Sequence, residues 1–263
     1  MISRDDIDAG EAFDWGRASE NYAKYRDIYP PEFYEKLIEL GIGTRGQKVL
    51  DLGTGTGVLP RNLYQHGAKF TGVDVSPEQI EQAVRLSTQE NMDITYFSTP
   101  SEGIDFPENS MDVVTACQCF MYFDPLILIP KLERVIITGG KLAILFLAWL
   151  PFEDKLAAET EELVLKYSPN WSGGGMKREL APIPEWVEES SFEVAQNIGF
   201  EVDLAFTRES WNGRIKACRG VEASLSPVEV QAFEKEHLAM LANYPEEFKV
   251  KHYATMQIFR NSK

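Results

Sequence analysis

Three glycines at alternate positions, Gly53, Gly55 and Gly57, follow directly on the apolar run 48–52 and precede a helical pattern from Leu59. Glycine has no Cβ, so a strand that runs into such a turn lets ligand and backbone approach closely. In an open parallel sheet, ligands bind at the carboxyl ends of the strands, where the chain order reverses. A second apolar run, 70–75, carries Asp74, 23 residues after Asp51. A carboxylate there can accept hydrogen bonds from both hydroxyls of a ribose. The glycine order is G-x-G-x-G with Val58 behind it, not the G-x-G-x-x-G of a dinucleotide site. Asp51, two residues before the first glycine, disfavours a pyrophosphate and suits a cationic ammonium.

Other reactive side chains are sparse. His66, His237 and His252 are scattered, and no Ser-His-Asp or Cys-His arrangement stands out. The residues therefore name no catalytic acid, base or nucleophile. Cys117 and Cys119 flank Gln118 in a predicted strand, which puts both thiols on one face. Cys218 is the third cysteine, and none has metal-ligand spacing around it. The reading is a reducing, cytoplasmic compartment, without disulfides or a metal.

The elements that must hold these residues alternate. Strands are predicted at 48–52, 70–75, 93–98, 111–119 and 141–149. Helical patterns lie at 30–40, 59–64, 77–86 and 124–135, the third opened by an N-cap serine and a proline, Ser76-Pro77. Strands separated by helices imply parallel pairing and right-handed crossovers. After Pro151 the rhythm changes: helix at 152–167, a glycine-rich loop at 168–175, largely helix at 185–198, a sixth strand at 200–207, helix from 211 to 243 and a last strand at 249–259.

Lys plus Arg number 26 against 41 Asp plus Glu, a formal charge of −15 in 263 residues. That surface repels a phosphate backbone and an anionic membrane face, so neither nucleic acid nor membrane is an expected partner. The start of the chain is polar and acidic, unlike a secretory signal. The longest apolar run, 142–150, is too short to span a bilayer.

Residues 49–57 and 72–76 resemble the first two motifs of the class I methyltransferases that use S-adenosyl-L-methionine. Ser101-Glu102-Gly103-Ile104-Asp105-Phe106-Pro107 looks like their adenine-side loop, and residues 134–141 like the turn before their fifth strand, with Thr138 in place of proline. Phe13 to Arg17, Tyr22 to Arg26, Tyr29-Pro30-Pro31 and residues 118–124 resemble bacterial small-molecule methyltransferases of the trans-aconitate-methyltransferase-like branch, with Met121 where that branch usually has histidine. The resemblance covers 12–150 well and 190–259 loosely. It implies that Gly53, Thr54 and Gly55 pass the methionine part of the cofactor, near Asp51. It implies Asp74 on the ribose, Val75 against adenine, Ser101 and Glu102 at the adenine edge, and Cys117 and Gln118 beside the sulfonium. Tyr22 and Arg26 would close over the cofactor, Arg26 pairing with its carboxylate. The aromatic and basic content of the later segments suggests an acceptor pocket with Tyr122, Trp171, Trp211 and Arg214.

The resulting expectation is an α/β protein with a doubly wound, Rossmann-like, seven-stranded, mostly parallel sheet, its last strand antiparallel, plus helical lid insertions. Residues 1–30 form an N-terminal lid segment and 31–150 the cofactor-binding core. Residues 151–199 are a helical insertion, and 200–263 return to the core with a lid insertion at 211–243. The function expected is methyl transfer from S-adenosyl-L-methionine to a small molecule by in-line displacement. A module that keeps the cofactor but has lost acceptor chemistry is the alternative, favoured by Met121, and a nicotinamide-dependent oxidoreductase is a distant third. Acceptor, methylated atom and oligomeric state stay open.

Overall fold

A computed structural model describes residues 2–263. Seven strands form one sheet: β1 (Lys48–Leu52), β2 (Lys69–Asp74), β3 (Thr95–Ser98), β4 (Met111–Cys117), β5 (Ile136–Trp149), β6 (Phe192–Thr207) and β7 (Glu247–Asn261), in the order β3-β2-β1-β4-β5-β7-β6. The pairs β1–β2, β1–β4, β2–β3 and β4–β5 are parallel. β7 runs antiparallel to β6: Arg208 N–H donates to Glu246 O at one end of the pair and Ser262 N–H to Ser191 O at the other. The sheet is thus mostly parallel with an antiparallel last strand, as in the fold expected.

The chain divides into two compact units. One comprises Tyr29–Leu147, Glu179–Phe200 and Ala254–Lys263, the other the stretch up to Ile28 with Ala148–Arg178 and Glu201–Tyr253. In the first, the α/β unit, α2 (Pro31–Glu39) leads into β1, and α3 (Val58–Leu63), α4 (Pro77–Gln89) and α5 (Pro125–Val135) connect successive strands. Their starts are encoded locally. Ser76 Oγ accepts from Gln79 N–H with Pro77 in the first turn, and the Asp124 carboxylate accepts from Leu126 N–H with Pro125 behind it. Leu50, Leu52, Val114 and Ala116 of the central strands pack with Leu128, Ile129 and Leu132 of α5 and with Phe192 and Phe259. Burying each large side chain contributes roughly 1.5–3 kcal/mol, enough to fix the strand tips.

The second, helical unit holds α1 (Ser19–Tyr25), α6 (Lys155–Tyr167), α7 (Arg208–Lys216) and α8 (Pro227–Leu241). Its interior is aromatic: Trp149 meets Trp171 and Trp211, and Trp211 also meets Phe206 and His252. Asp8 and Arg219, both buried, make a two-pronged ion pair (2.6 and 2.8 Å) that ties the N-terminal segment down within this unit.

Several local expectations are corrected. Residues 185–198 are not helical: after one short turn at Glu185–Val187, β6 begins at Phe192. The glutamates read as helix, but β6 is the last strand in the sheet order, and its solvated positions tolerate charge. Gly139-Gly140 is not a turn before β5. The strand starts at Ile136, and the ladder with β4 shifts register between Met111 and Val113. The region 211–243 is two helices, because Ser226 and Glu229 form a capping box that starts α8 afresh. Among the described residues no helix is long and apolar enough to cross a membrane.

Candidate functional site

The carboxyl ends of β1, β2 and β4 lie side by side, since Leu52 registers with Val73 on one side and Ala116 on the other. The strand order reverses between β1 and β4, the point at which open sheets bind ligands. The glycine turn sits at the tip of β1, with φ of 57°, 56° and 73° at Gly53, Gly55 and Gly57. A Cβ on Gly53 would stand 2.8 Å from the Cys119 side chain, so neither its backbone angle nor its surroundings admit another residue.

Two carboxylates frame this turn. Asp51, 2% exposed, accepts a 2.6 Å hydrogen bond from the Thr115 hydroxyl on the neighbouring strand. Burial pushes its carboxyl up to about 6, and the Asp74 charge adds to the rise. Burial also raises Asp74, against the bonds it accepts from backbone N–H groups: Gly55 to Oδ2 and Ser76 to Oδ1, both 2.9 Å. The Asp74 side chain thus latches the glycine turn to the tip of β2, and the Val75 backbone N–H adds to the bonds that hold it. Thr54 N–H donates to Val73 O, a second latch between the same elements. The Thr56 hydroxyl is buried without a hydrogen-bond partner among the described residues.

Beyond Asp74 the surface turns apolar. Val75 is 47% and Phe97 48% exposed, and Phe97 meets Phe106 edge-on. A flat apolar group could be covered there. Ser101 is buried nearby in sequence, in the turn Ser101–Gly103. Glu102, the other residue expected at the adenine edge, accepts through its Oε1 from Asp124 N–H, at the start of α5.

The tip of β4 also departs from expectation. The strand ends at Cys117, and Gln118 turns left-handed at φ 65°. Cys117 and Cys119 therefore do not share a strand face. The Cys117 thiol donates to Tyr29 Oη at 3.3 Å, and that of Cys119 to Leu52 O at 3.0 Å. Gln118 is held toward β5: its N–H donates to Leu145 O and its Nε2 to Leu147 O. Tyr122 packs, half-buried, against the core of the α/β unit.

Asp51, Gly53, Thr54, Gly55, Asp74, Val75, Ser101, Glu102, Cys117, Gln118 and Tyr122 all belong to the α/β unit. Tyr22, Arg26, Trp171, Trp211 and Arg214 belong to the helical one. There Trp211 is fully buried and donates through Nε1 to Thr160 Oγ1, and Trp171 is 7% exposed, so both act as interior packing in this structure. Arg214 is 1% exposed and lies 4.7 Å over the Trp149 ring, and Arg26 lies 4.9 Å over Tyr22. His237 and His252 are buried in the same unit and kept neutral by burial, at about 4 and about 3. Sequence reasoning missed Thr115 and Tyr29. Thr115 was findable as the polar residue inside the apolar run 113–117. Tyr29 was not, because its contact with Cys117 spans 88 positions. Among the described residues, no cluster of three or more His, Cys, Asp or Glu could hold a metal.

Residues 50–144 match a family described as a methyltransferase domain. An uncharacterized methyltransferase of Mycobacterium tuberculosis is 32% identical over 142 residues, 54% of this chain and 54% of that protein. A ubiquinone biosynthesis O-methyltransferase of Coxiella burnetii is 34% identical over 108 residues, 41% of this chain and 46% of that one. The chain thus spans about half the length of these curated relatives. Among solved structures, a SAM-dependent methyltransferase from Aquifex aeolicus shares the fold with a TM-score of 0.52 and 16% identity, over 95% of this chain and 99% of that one.

Proposed function

We propose that this chain, whose residues 50–144 match a methyltransferase domain, is a class I S-adenosyl-L-methionine-dependent methyltransferase and transfers the methyl group of that cofactor to a small-molecule acceptor. The observation that carries the reading is the pair of buried carboxylates, Asp51 and Asp74, on either side of the glycine turn at the switch point of the sheet. A pair of acids held above their ordinary range fits a cationic ligand, whose charge favours their ionised forms. The cofactor brings an ammonium and a sulfonium, a ribose diol and an adenine, and supplies a methyl group already activated for displacement.

The chain's own residues would act as follows. Asp51, fixed by Thr115, would neutralise the ammonium. Asp74 would take the ribose hydroxyls, while its bonds to Gly55 and Ser76 hold the turn open. Val75 and Phe97 would cover adenine. The protein's contribution to rate is then orientation, worth at most about 7–11 kcal/mol in well-aligned systems, together with exclusion of water. A general base is needed for an alcohol acceptor and not for a carboxylate or thiolate. The acidic surface supports a small acceptor over nucleic acid.

A second reading, a binding module without acceptor chemistry, is favoured by Met121, half-exposed in the turn Phe120–Tyr122 where the resembling branch has histidine. The test is incubation with methyl-labelled cofactor and a metabolite extract. Transfer of label with release of S-adenosylhomocysteine supports the enzyme; tight cofactor binding with no transfer supports the module.

A further inference from the structure

Four residues of the α/β unit stand in register across neighbouring strands. Thr115 of β4 pairs with Asp51 of β1, Asp51 with Gly72 of β2, and Gly72 with Tyr96 of β3. Residues in register point to one face of a sheet, so the row reads hydroxyl, carboxylate, gap, phenol. The phenol ring fills the gap. A Cβ on Gly72 would stand 2.7 Å from Tyr96 Cδ1 and 2.8 Å from Thr54 Oγ1, and a Cβ on Gly57 would collide with the Tyr96 hydroxyl. The ring therefore lies across Gly72 and reaches the end of the glycine turn. On its far side the hydroxyl is hydrogen-bonded to Oγ of the buried Ser87, in α4, at 2.9 Å.

Gly57 and Gly72 are thus demanded by a side chain of the protein itself. Glycines lose more backbone freedom on ordering than other residues, and a turn built from them has few side chains of its own to pack. The Tyr96 ring gives that turn a floor. It also bounds Asp51. Thr115 stands on one side of the carboxylate; on the other, Gly72 offers no side chain, and the ring closes the row toward the edge strand β3. The titratable groups that face the pair are Asp74 and the Cys119 thiol at Asp51, and Arg61 and Glu90 at Tyr96. Burial pushes the Tyr96 hydroxyl up to about 12, and the Asp51 charge acts in the same direction, so the phenol stays neutral.

We infer that Tyr96 is a positioning residue of the cofactor site, acting through its neighbours: its ring supports the glycine turn at Gly57 and, laid across Gly72, keeps water from Asp51. This rests on the reading of the Gly53–Asp74 site as one for S-adenosyl-L-methionine. Removing the ring leaves a void beside a carboxylate, polar enough for water to enter. The turn then loses its floor, and Asp51 ionises more easily. Affinity and its pH dependence are therefore set in part by a strand that contributes neither a glycine nor an acid to the site.

The experiment titrates the full chain calorimetrically with S-adenosylhomocysteine between pH 5 and 8, as the parent, Tyr96→Phe, Tyr96→Leu and Gly72→Ala, each checked for cooperative thermal unfolding. Tyr96→Phe keeps the ring and is expected to bind within threefold of the parent, with the same pH midpoint. Tyr96→Leu is expected to bind at least tenfold more weakly above pH 7, and its affinity to rise with pH at a midpoint at least half a unit below the parent's. Gly72→Ala drives a methyl group into the ring from the other side, at a position with no left-handed backbone to strain. It is expected to weaken binding tenfold and keeps the test decisive if Tyr96→Leu does not fold. Parent-like binding by either folded variant overturns the inference. So does weaker binding by Tyr96→Leu with an unshifted midpoint, which would leave the ring a part of the core only. A tenfold loss in Tyr96→Phe overturns it as well, since the hydroxyl and not the ring would then carry the effect. Failure of the parent chain to bind S-adenosylhomocysteine at any pH would instead overturn the methyltransferase reading, and the inference with it.

Discussion

Asp51 and Asp74 are both acids at strand tips, yet their environments separate their roles. Asp74 accepts two backbone N–H groups and stands at the edge of the turn; Asp51 is enclosed, with Thr115 as its neighbour. Replacing Asp74→Ala removes acceptors for the ribose and also the latch on Gly55. Hydrogen bonds to a charged acceptor are worth roughly 1.5–3 kcal/mol each, so affinity for S-adenosylhomocysteine should fall at least tenfold in a protein whose circular dichroism is unchanged. Equal calorimetric constants would remove Asp74 from the site. Asp51 makes a different prediction. Its carboxyl sits at about 6 in the free protein, and a bound ammonium favours the ionised form. Affinity should therefore rise as pH increases through about 6 and level off above it, and Asp51→Asn should flatten that rise. A parent profile without slope between pH 5 and 7 would contradict the assignment. The two acids and the glycines were legible in the sequence because their spacing is local. The hydrogen-bond partners of Glu102, Gln118, Cys117 and Cys119 were not, because they depend on which strand or helix end lies opposite.

Among the elements, the alternation of strands and helices through residue 150 could be read from apolar runs and caps such as Ser76-Pro77 and Asp124-Pro125. It failed at 185–198, where the pairing partner of β6 lies some sixty residues later in the chain and outweighs a helical composition. The helical unit rests on close approach of α1 to α7. A Cβ at Gly213 would drive into the Tyr25 ring. Gly213→Ala should therefore cost about 1–3 kcal/mol of stability, read as a lower denaturant midpoint, with faster proteolysis near Tyr25. An unchanged midpoint would mean that α1 shifts freely. The buried histidines of this unit set its acid limit. His237 and His252 titrate at about 4 and about 3 when folded, against an ordinary 6.5. The unfolded chain thus binds protons first, and stability is lost as pH falls from 6.5 toward 4, by up to about 1.4 kcal/mol per pH unit for each group. His237→Gln should lose less stability than the parent between pH 7 and 5 in urea titrations. An equal loss would place the acid sensitivity elsewhere.

For the whole molecule, a charge of −15 and a sheet with its glycine turn at the switch point both favour a small, cationic cofactor over a nucleic acid. The claim at the centre is that the Gly53–Asp74 site binds S-adenosyl-L-methionine and that the chain passes its methyl group to a small molecule. The most direct measurement is transfer of label from methyl-labelled cofactor into a metabolite extract, fractionated by size, for the parent chain and for Asp74→Ala side by side. The account predicts label in the small-molecule fraction, matched by released S-adenosylhomocysteine, and its loss in the variant at cofactor concentrations that saturate the parent. Label found only in macromolecules, no transfer by the parent, or undiminished transfer by Asp74→Ala would contradict it.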